Sequence, residues 1–112
     1  NGRTLLVGTH PGAAYFKSGS RENSRYFADV FAWTGKPRHV ETGNRTVHSR
    51  LHMGADGGAL WLVNESREPQ QVTVALDARH RLRPVGTYWG TAEGAEFAIP
   101  ARDVVVLKLA RE

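Results

Sequence analysis

The sequence predicts a mainly β protein, α+β overall: an antiparallel β-sandwich of about six to eight strands, preceded by one strand and one α-helix. Apolar and polar residues alternate with the period of a strand at several places after residue 38, whereas residues 21–34 repeat with the period of a helix. Turn-forming residues interrupt the second region about every 8–12 residues, the spacing typical of a sandwich. The 112 residues, 40% of them apolar, suffice for one globular core of ordinary size.

Residues 1–37 are predicted to hold one strand and one helix. The apolar run at residues 4–9 ends at Gly8 and Pro11, which is typical of a strand buried on both faces, and a loop over residues 10–19 is expected to follow. Ser20 is a suitable N-cap for a helix over residues 21–34, and Gly35 is a suitable residue to end it. A doubly buried strand followed by a helix normally belongs to a parallel sheet. We therefore expect residues 1–37 to be a remnant of an upstream α/β domain. Whether this remnant packs on the sandwich or belongs to a missing sheet stays open.

Residues 38–112 are predicted to form the C-terminal β-sandwich domain. Asp56-Gly57 is a strong hairpin signal between two of its strands, and Val72, Val74 and Leu76 are expected to point inward from a third. The predicted strands cover residues 47–53, 59–64, 71–77, 82–89, 96–99 and 103–109.

Composition excludes several classes of function. The net charge of +4 is spread along the chain, with a single cluster at residues 79–83, so we do not expect nucleic-acid binding. No apolar run approaches the roughly 20 residues of a membrane helix, so no membrane partner is expected. The absence of cysteine excludes disulfides and thiolate metal sites. Because the chain starts at Asn1 without a signal segment, we expect a fragment of a longer polypeptide and can predict no localisation for it.

The histidines do not predict a metal site, and no cofactor is expected. His48 and His52 have the spacing of a helical zinc motif, but in a strand four residues span about 13 Å, too far for two rings to reach one ion. His10, His39 and His80 have no obvious carboxylate companions and are interpreted as structural or solvated.

No catalytic residue is predicted either. Glycoside hydrolysis needs two carboxyl groups beside the scissile bond, and Glu93 and Glu96 flank one hairpin. A hairpin tip offers little to bury a carboxyl group and raise its pKa, so catalysis there is not expected. Asn44 and Asn64 begin glycosylation sequons, which occur often by chance.

Aromatic residues provide the remaining candidates for a binding site. Tyr88 and Trp89 could offer flat rings to a sugar, although the favoured interpretation is that Trp89 closes one end of the sandwich core. Trp61, between Leu60 and Leu62, is expected in the core or at a domain interface. The predicted helix also carries an apolar face that needs a surface to pack against, formed by Tyr26, Phe27, Val30, Phe31 and Trp33.

Three segments resemble the C-terminal region of bacterial β-galactosidases of the family 42 type. They are GRTLLVGTHPG at residues 2–12, VHSRLH with LWLVN and REPQQVTV between residues 47 and 74, and IPARDVVVL at residues 99–107. The resemblance implies a parent glycoside hydrolase whose two catalytic glutamates lie on an upstream (β/α)₈ barrel. The lack of cysteine fits a cytoplasmic parent. The family's α/β domain often mediates oligomer formation, so a homo-oligomeric parent is left open.

The expected function is that of a non-catalytic accessory domain, a structural part of a multidomain β-galactosidase-like enzyme that packs against upstream domains of the same polypeptide. The fragment itself is not expected to be an enzyme. The alternative is a carbohydrate-binding module that uses Tyr88 and Trp89.

Overall fold

The computed structural model describes residues 4–36 and 38–112. The chain divides into two compact units, residues 1–37 and residues 38–112. The described residues form two α-helices and three antiparallel sheets, so the predicted mainly β, α+β fold class is confirmed.

The described residues of the N-terminal unit form two helices: α1 covers Pro11–Ser18 and α2 covers Arg21–Trp33. The prediction of a buried strand at residues 4–9 is wrong, because residues 4–7 have no regular structure and Leu6 is 93% exposed. A strand buried on both faces needs partner strands, and the described residues of this unit include none.

The predicted loop at residues 10–19 is also wrong, because α1 occupies most of it. Pro11 stands at the first position of α1, where its fixed φ favours a helix and its missing N–H costs nothing. Gly19, with φ of 59°, ends α1 and donates its N–H to the carbonyl of Tyr15 at 2.7 Å.

Helix α2 begins where its sequence predicts and ends one residue earlier than predicted, at Trp33. The hydroxyl of Ser20 accepts a hydrogen bond from the backbone N–H of Asn23 at 3.2 Å, and Gly35 adopts a positive φ of 67° just beyond the helix. Phe27 makes edge-to-face contacts with Tyr15 of α1 at 6.0 Å and with Tyr26 at 5.5 Å between ring centroids.

The C-terminal unit contains eight strands and one short 3₁₀ helix, Ala78–His80. The strands are β1 Val40–Glu41, β2 Val47–Met53, β3 Gly57–Asn64, β4 Gln70–Thr73, β5 Ala75–Leu76, β6 Leu82–Trp89, β7 Glu96–Ile99 and β8 Val104–Arg111. The four-stranded sheet has the order β2-β3-β8-β6, and β4 pairs with β7 and β1 with β5, all antiparallel.

One hydrophobic core joins the four-stranded sheet to the β4–β7 pair, as in a sandwich. Alternate residues of β3 and β8 point into it, and both smaller sheets contribute side chains to it or pack against it. Burying these side chains is the main source of stability for this unit. The buried cluster consists of Val47, Leu60, Leu62, Val72, Leu82, Phe97, Ile99, Val105, Leu107 and Leu109.

The strand predicted at residues 71–77 is divided between two sheets. The N–H of Val74 donates to Ala95 beside β7, whereas Asp77 donates to the carbonyl of His39 beside β1. Val72 is buried, and Val74 and Leu76 are half-buried against the core, so their predicted inward orientation is confirmed.

The β2–β3 hairpin forms where Asp56-Gly57 predicts it, and β3 starts two residues earlier than expected. A Cβ at Gly58 would lie 2.4 Å from the carbonyl oxygen of His52, so β2 and β3 can approach this closely only with glycine there.

Candidate functional site

One row of residues crosses all four strands on the outer face of the four-stranded sheet. Arg50 of β2 is opposite Trp61 of β3, Trp61 is opposite Val106 of β8, and Val106 is opposite Trp89 of β6. Directly opposite residues in an antiparallel sheet share a face. Since Leu60 and Leu62 point into the core, Trp61 and its row project on the other side.

The two tryptophans of this row and the neighbouring Tyr88 are exposed to solvent. Trp61 is 44% exposed, Trp89 is 64% exposed and Tyr88 is 60% exposed. Val106 lies between the two tryptophans in register, is 4% exposed and does not belong to the core cluster. We call Trp61, Tyr88, Trp89 and Val106 the aromatic face.

A β-bulge and a charged side chain shape one end of the aromatic face. The register of β6 against β8 shifts between Thr87 and Trp89, which makes Tyr88 an extra residue in the ladder. The ammonium group of Lys108 lies 5.8 Å from the centroid of the Tyr88 ring, within the range of a cation–π interaction. Lys108 is two residues from Val106 and therefore projects from the same face.

Gly90 turns the chain immediately after Trp89. Its φ is +74°, and a Cβ at this position would lie 2.9 Å from Cγ2 of Val105 and 3.1 Å from the carbonyl oxygen of Val104. Only glycine combines this backbone conformation with so close an approach to β8. Gly90 thus keeps the end of β6 against β8 and holds Trp89 in its place.

These observations correct the predictions for two tryptophans. Trp89 does not close the core, and Trp61 is not a core residue, because the core is filled by the alternating aliphatic residues on the other side of the sheet. The alternation Leu60-Trp61-Leu62 already contained this signal, since two inward leucines force the residue between them outward. Interface and sugar-binding roles for Trp61, Tyr88 and Trp89 stay predictions.

The candidate catalytic carboxylates are exposed. Glu93 and Glu96 both lie on the surface. Glu65 approaches His48 at 3.6 Å between Oε2 and Nε2, and both side chains are solvent-exposed. Glu65 also lines an open depression with Asp103, whose carboxylate accepts the backbone N–H of Val104.

Asp77 has a carboxyl group whose environment lowers its pKa. Hydrogen bonds from the side chain and the backbone N–H of Arg79 hold that pKa well below its usual range, and the same contact raises the pKa of Arg79. A general acid needs the opposite shift. The pair therefore suits a structural role at the start of the 3₁₀ helix.

The structure brings together two histidines that the sequence left apart. Nδ1 of His39 lies 2.6 Å from Nε2 of His80, although 41 residues separate them. The pairing of β1 with β5 produces this contact, and β1, with two residues, is too short to predict. Across residues 4–36 and 38–112, no three or more His, Cys, Asp or Glu side chains form a group that could hold a metal ion.

Asn64, the first residue of a sequon, is completely buried at the end of β3. Its amide nitrogen donates to the carbonyls of Glu68, Ile99 and Pro100, and its amide oxygen accepts from the N–H and the hydroxyl of Ser66. The folded chain therefore does not present Asn64 for modification, and its side chain closes the loop between β3 and β4.

Comparison with known proteins identified no relative: no family model, curated protein or solved structure matches this chain. In the part of the chain that the structure describes, no helix is both long and apolar enough to cross a membrane.

Proposed function

We propose that this chain is a non-catalytic accessory domain of a multidomain, β-galactosidase-like glycoside hydrolase, and that its aromatic face packs against neighbouring domains of the same polypeptide. The observation that carries the proposal is the exposure of Trp61 and Trp89 in register on a well-packed sandwich. Exposed apolar patches on a stable scaffold commonly mark interaction surfaces. The resemblance of residues 2–12, 47–74 and 99–107 to the family 42 type supplies the class of the parent enzyme.

The surroundings of the carboxyl groups also favour a scaffold over an enzyme. The acids considered for catalysis are exposed, and the shift at Asp77 runs opposite to that of a general acid. We expect the isolated chain to leave a chromogenic galactoside intact, and the protein encoded by the whole gene to hydrolyse it. Turnover by the isolated chain would refute the non-catalytic assignment.

Packing by the aromatic face can be tested by comparing the isolated chain with the whole-gene protein. Trp61→Ser and Trp89→Ser should each destabilise the isolated chain by about 1 kcal/mol, because each ring is only partly exposed and flanks the buried Val106. In the whole protein each should cost about 1.5–3 kcal/mol more, the value of a large apolar side chain that becomes buried. Thermal denaturation measures both effects.

Met53→Ser is the matched control. Met53 is an exposed apolar residue at the end of β2, and strand alternation places it on the opposite face of the same sheet. Met53→Ser should have little effect on the stability of either the isolated chain or the whole protein. The proposal would be contradicted if each tryptophan variant lost as much stability in the isolated chain as in the whole protein.

The alternative function is a carbohydrate-binding module. It is favoured by the exposed rings of Tyr88 and Trp89, whose flat faces could stack on the C–H groups of a pyranose while Lys108 donates hydrogen bonds beside them. Galactosides or polysaccharides should then shift the NMR signals around Tyr88 and Trp89, and Trp89→Ala should abolish the shifts. A flat titration up to millimolar sugar would dispose of this alternative.

A further inference from the structure

We propose that His39 and His80 form a two-histidine binding site for a divalent transition metal of the zinc class. The inference rests on the geometry of the C-terminal unit and is independent of the proposed function. Two ring nitrogens face each other at 2.6 Å on an accessible part of the surface. Their ring centroids are 4.7 Å apart and their planes are tilted by 42°.

The contact between the rings brings both nitrogens to one small region, where a metal ion can replace the shared proton once the nitrogens move apart from 2.6 Å. In the neutral pair one nitrogen donates its hydrogen and the other accepts it with its lone pair. Two imidazoles that bind Zn²⁺ at about 2.0–2.1 Å in tetrahedral geometry have their nitrogens about 3.3 Å apart. Small rotations of two surface side chains supply this difference, and a change of tautomer at one ring frees its nitrogen to bind.

The backbone holds both histidines in place before any ligand binds. The carbonyl of His39 accepts the N–H of Asp77 at 3.0 Å, immediately before the 3₁₀ helix that ends at His80. Val40 is paired with Leu76 in the β1–β5 ladder. Preorganised ligands lose less conformational entropy when the metal binds.

A salt bridge offsets one of the positive charges beside this site, whereas Arg38 and Arg81 adjoin the two histidines in sequence. Arg79 is paired with the Asp77 carboxylate, so its positive charge is offset close to the histidines. Because that carboxylate is already engaged, we assign two protein ligands, with water completing the coordination. Imidazole nitrogen suits Zn²⁺, Cu²⁺ and Ni²⁺, whereas Mg²⁺ requires oxygen ligands.

Titration of the full 112-residue chain with zinc chloride tests the site by calorimetry and by imidazole NMR signals. We expect saturable binding at one site, with the signals of His39 and His80 shifting together, and no response to magnesium chloride. His39→Gln and His80→Gln should each weaken zinc binding by about tenfold or more, comparable to the effect of losing an outer-shell partner of a metal. Glutamine keeps hydrogen-bonding capacity at the position, which preserves the fold.

His48→Ala and His52→Ala are the matched controls, because they remove exposed histidines from β2 and should leave zinc affinity unchanged. The melting temperature gives a second readout: zinc should raise it in the wild type and the controls but not in the two glutamine variants. The proposal is overturned if zinc does not saturate a site, if magnesium binds equally well, or if the control variants lose as much affinity as the glutamine variants.

Discussion

Removing the side chain of Asn64 should destabilise the C-terminal unit more than any ordinary surface change. Five hydrogen bonds end on this one buried amide. A buried hydrogen bond contributes about 0.5–1.5 kcal/mol, and partners left without one add a desolvation cost. The three carbonyls share only two amide hydrogens, and Ser66 can hydrogen-bond to water in the variant. The loss of stability is therefore smaller than the sum over five separate hydrogen bonds. We therefore expect Asn64→Ala to lower the free energy of unfolding by about 3 kcal/mol.

Asn64→Asp should cost more than alanine. The carboxylate can still accept from Ser66, but it presents negative oxygens to the carbonyls of Glu68, Ile99 and Pro100, to which the amide donated. Burial raises the pKa of such a carboxyl group above its unfolded value. The penalty is therefore present above the folded pKa and shrinks as the pH falls through it.

Urea and thermal denaturation of the full chain, followed by tryptophan fluorescence, measure these changes. For a unit of this size 3 kcal/mol corresponds to a fall in Tm of about 15 °C. Asn44→Ala is the control: Asn44 is half-buried and its amide donates to Gln70 and Gln71, so we expect a loss of about 1 kcal/mol. A loss at Asn64→Ala within about 0.5 kcal/mol, the range of surface substitutions, would refute this account of the loop.

Three further substitutions test local features. Gly90→Ala should lower the free energy of unfolding by about 1–3 kcal/mol in urea denaturation, because the new Cβ meets Val105 and strains a positive φ; an unchanged midpoint would contradict this. Asp77→Asn removes the charge paired with Arg79. Because the folded pKa of Asp77 is depressed, its contribution is present above the unfolded pKa of about 3.9 and is lost as the pH falls through the lower, folded value. The variant should therefore lose stability at neutral pH and converge with the wild type in strong acid, and parallel pH profiles would exclude this. Ser20→Ala removes the cap of α2 and should reduce helical circular dichroism, with a cost of about 1 kcal/mol, whereas Ser20→Asp should preserve the signal.

The strands of the C-terminal unit were predictable where local chemistry decides them. Strand β2 has the predicted bounds, because the alternation at residues 47–53 and the turn at Asp56-Gly57 do not depend on distant residues. The prediction of a strand at residues 4–9 was wrong, because an apolar run of this kind forms a strand only within a sheet. The described residues of the N-terminal unit provide no such sheet. Helix α1 was missed although Pro11 and Gly19 mark its ends.

The candidate sites depend on pairing between strands, which the sequence shows only in part. Tyr88 and Trp89 could be chosen as exposed aromatic candidates, but their alignment with Trp61 follows from the β3–β8–β6 register. The His39–His80 contact depends on a pairing of two-residue strands, for which no periodic signal exists. Asn64 looked like a chance sequon, because its buried role depends on the carbonyls of Ile99 and Pro100, more than 30 residues away.

The central claim, that the aromatic face meets another part of a larger protein, is tested most directly by hydroxyl-radical footprinting with mass spectrometry. The method reports the solvent exposure of each tryptophan separately, in the isolated chain and in the protein that the whole gene encodes. We expect Trp61 and Trp89 to be readily oxidised in the isolated chain, in keeping with their exposure of 44% and 64%, and strongly protected in the whole protein. Equal oxidation of both residues in the two proteins would contradict the claim.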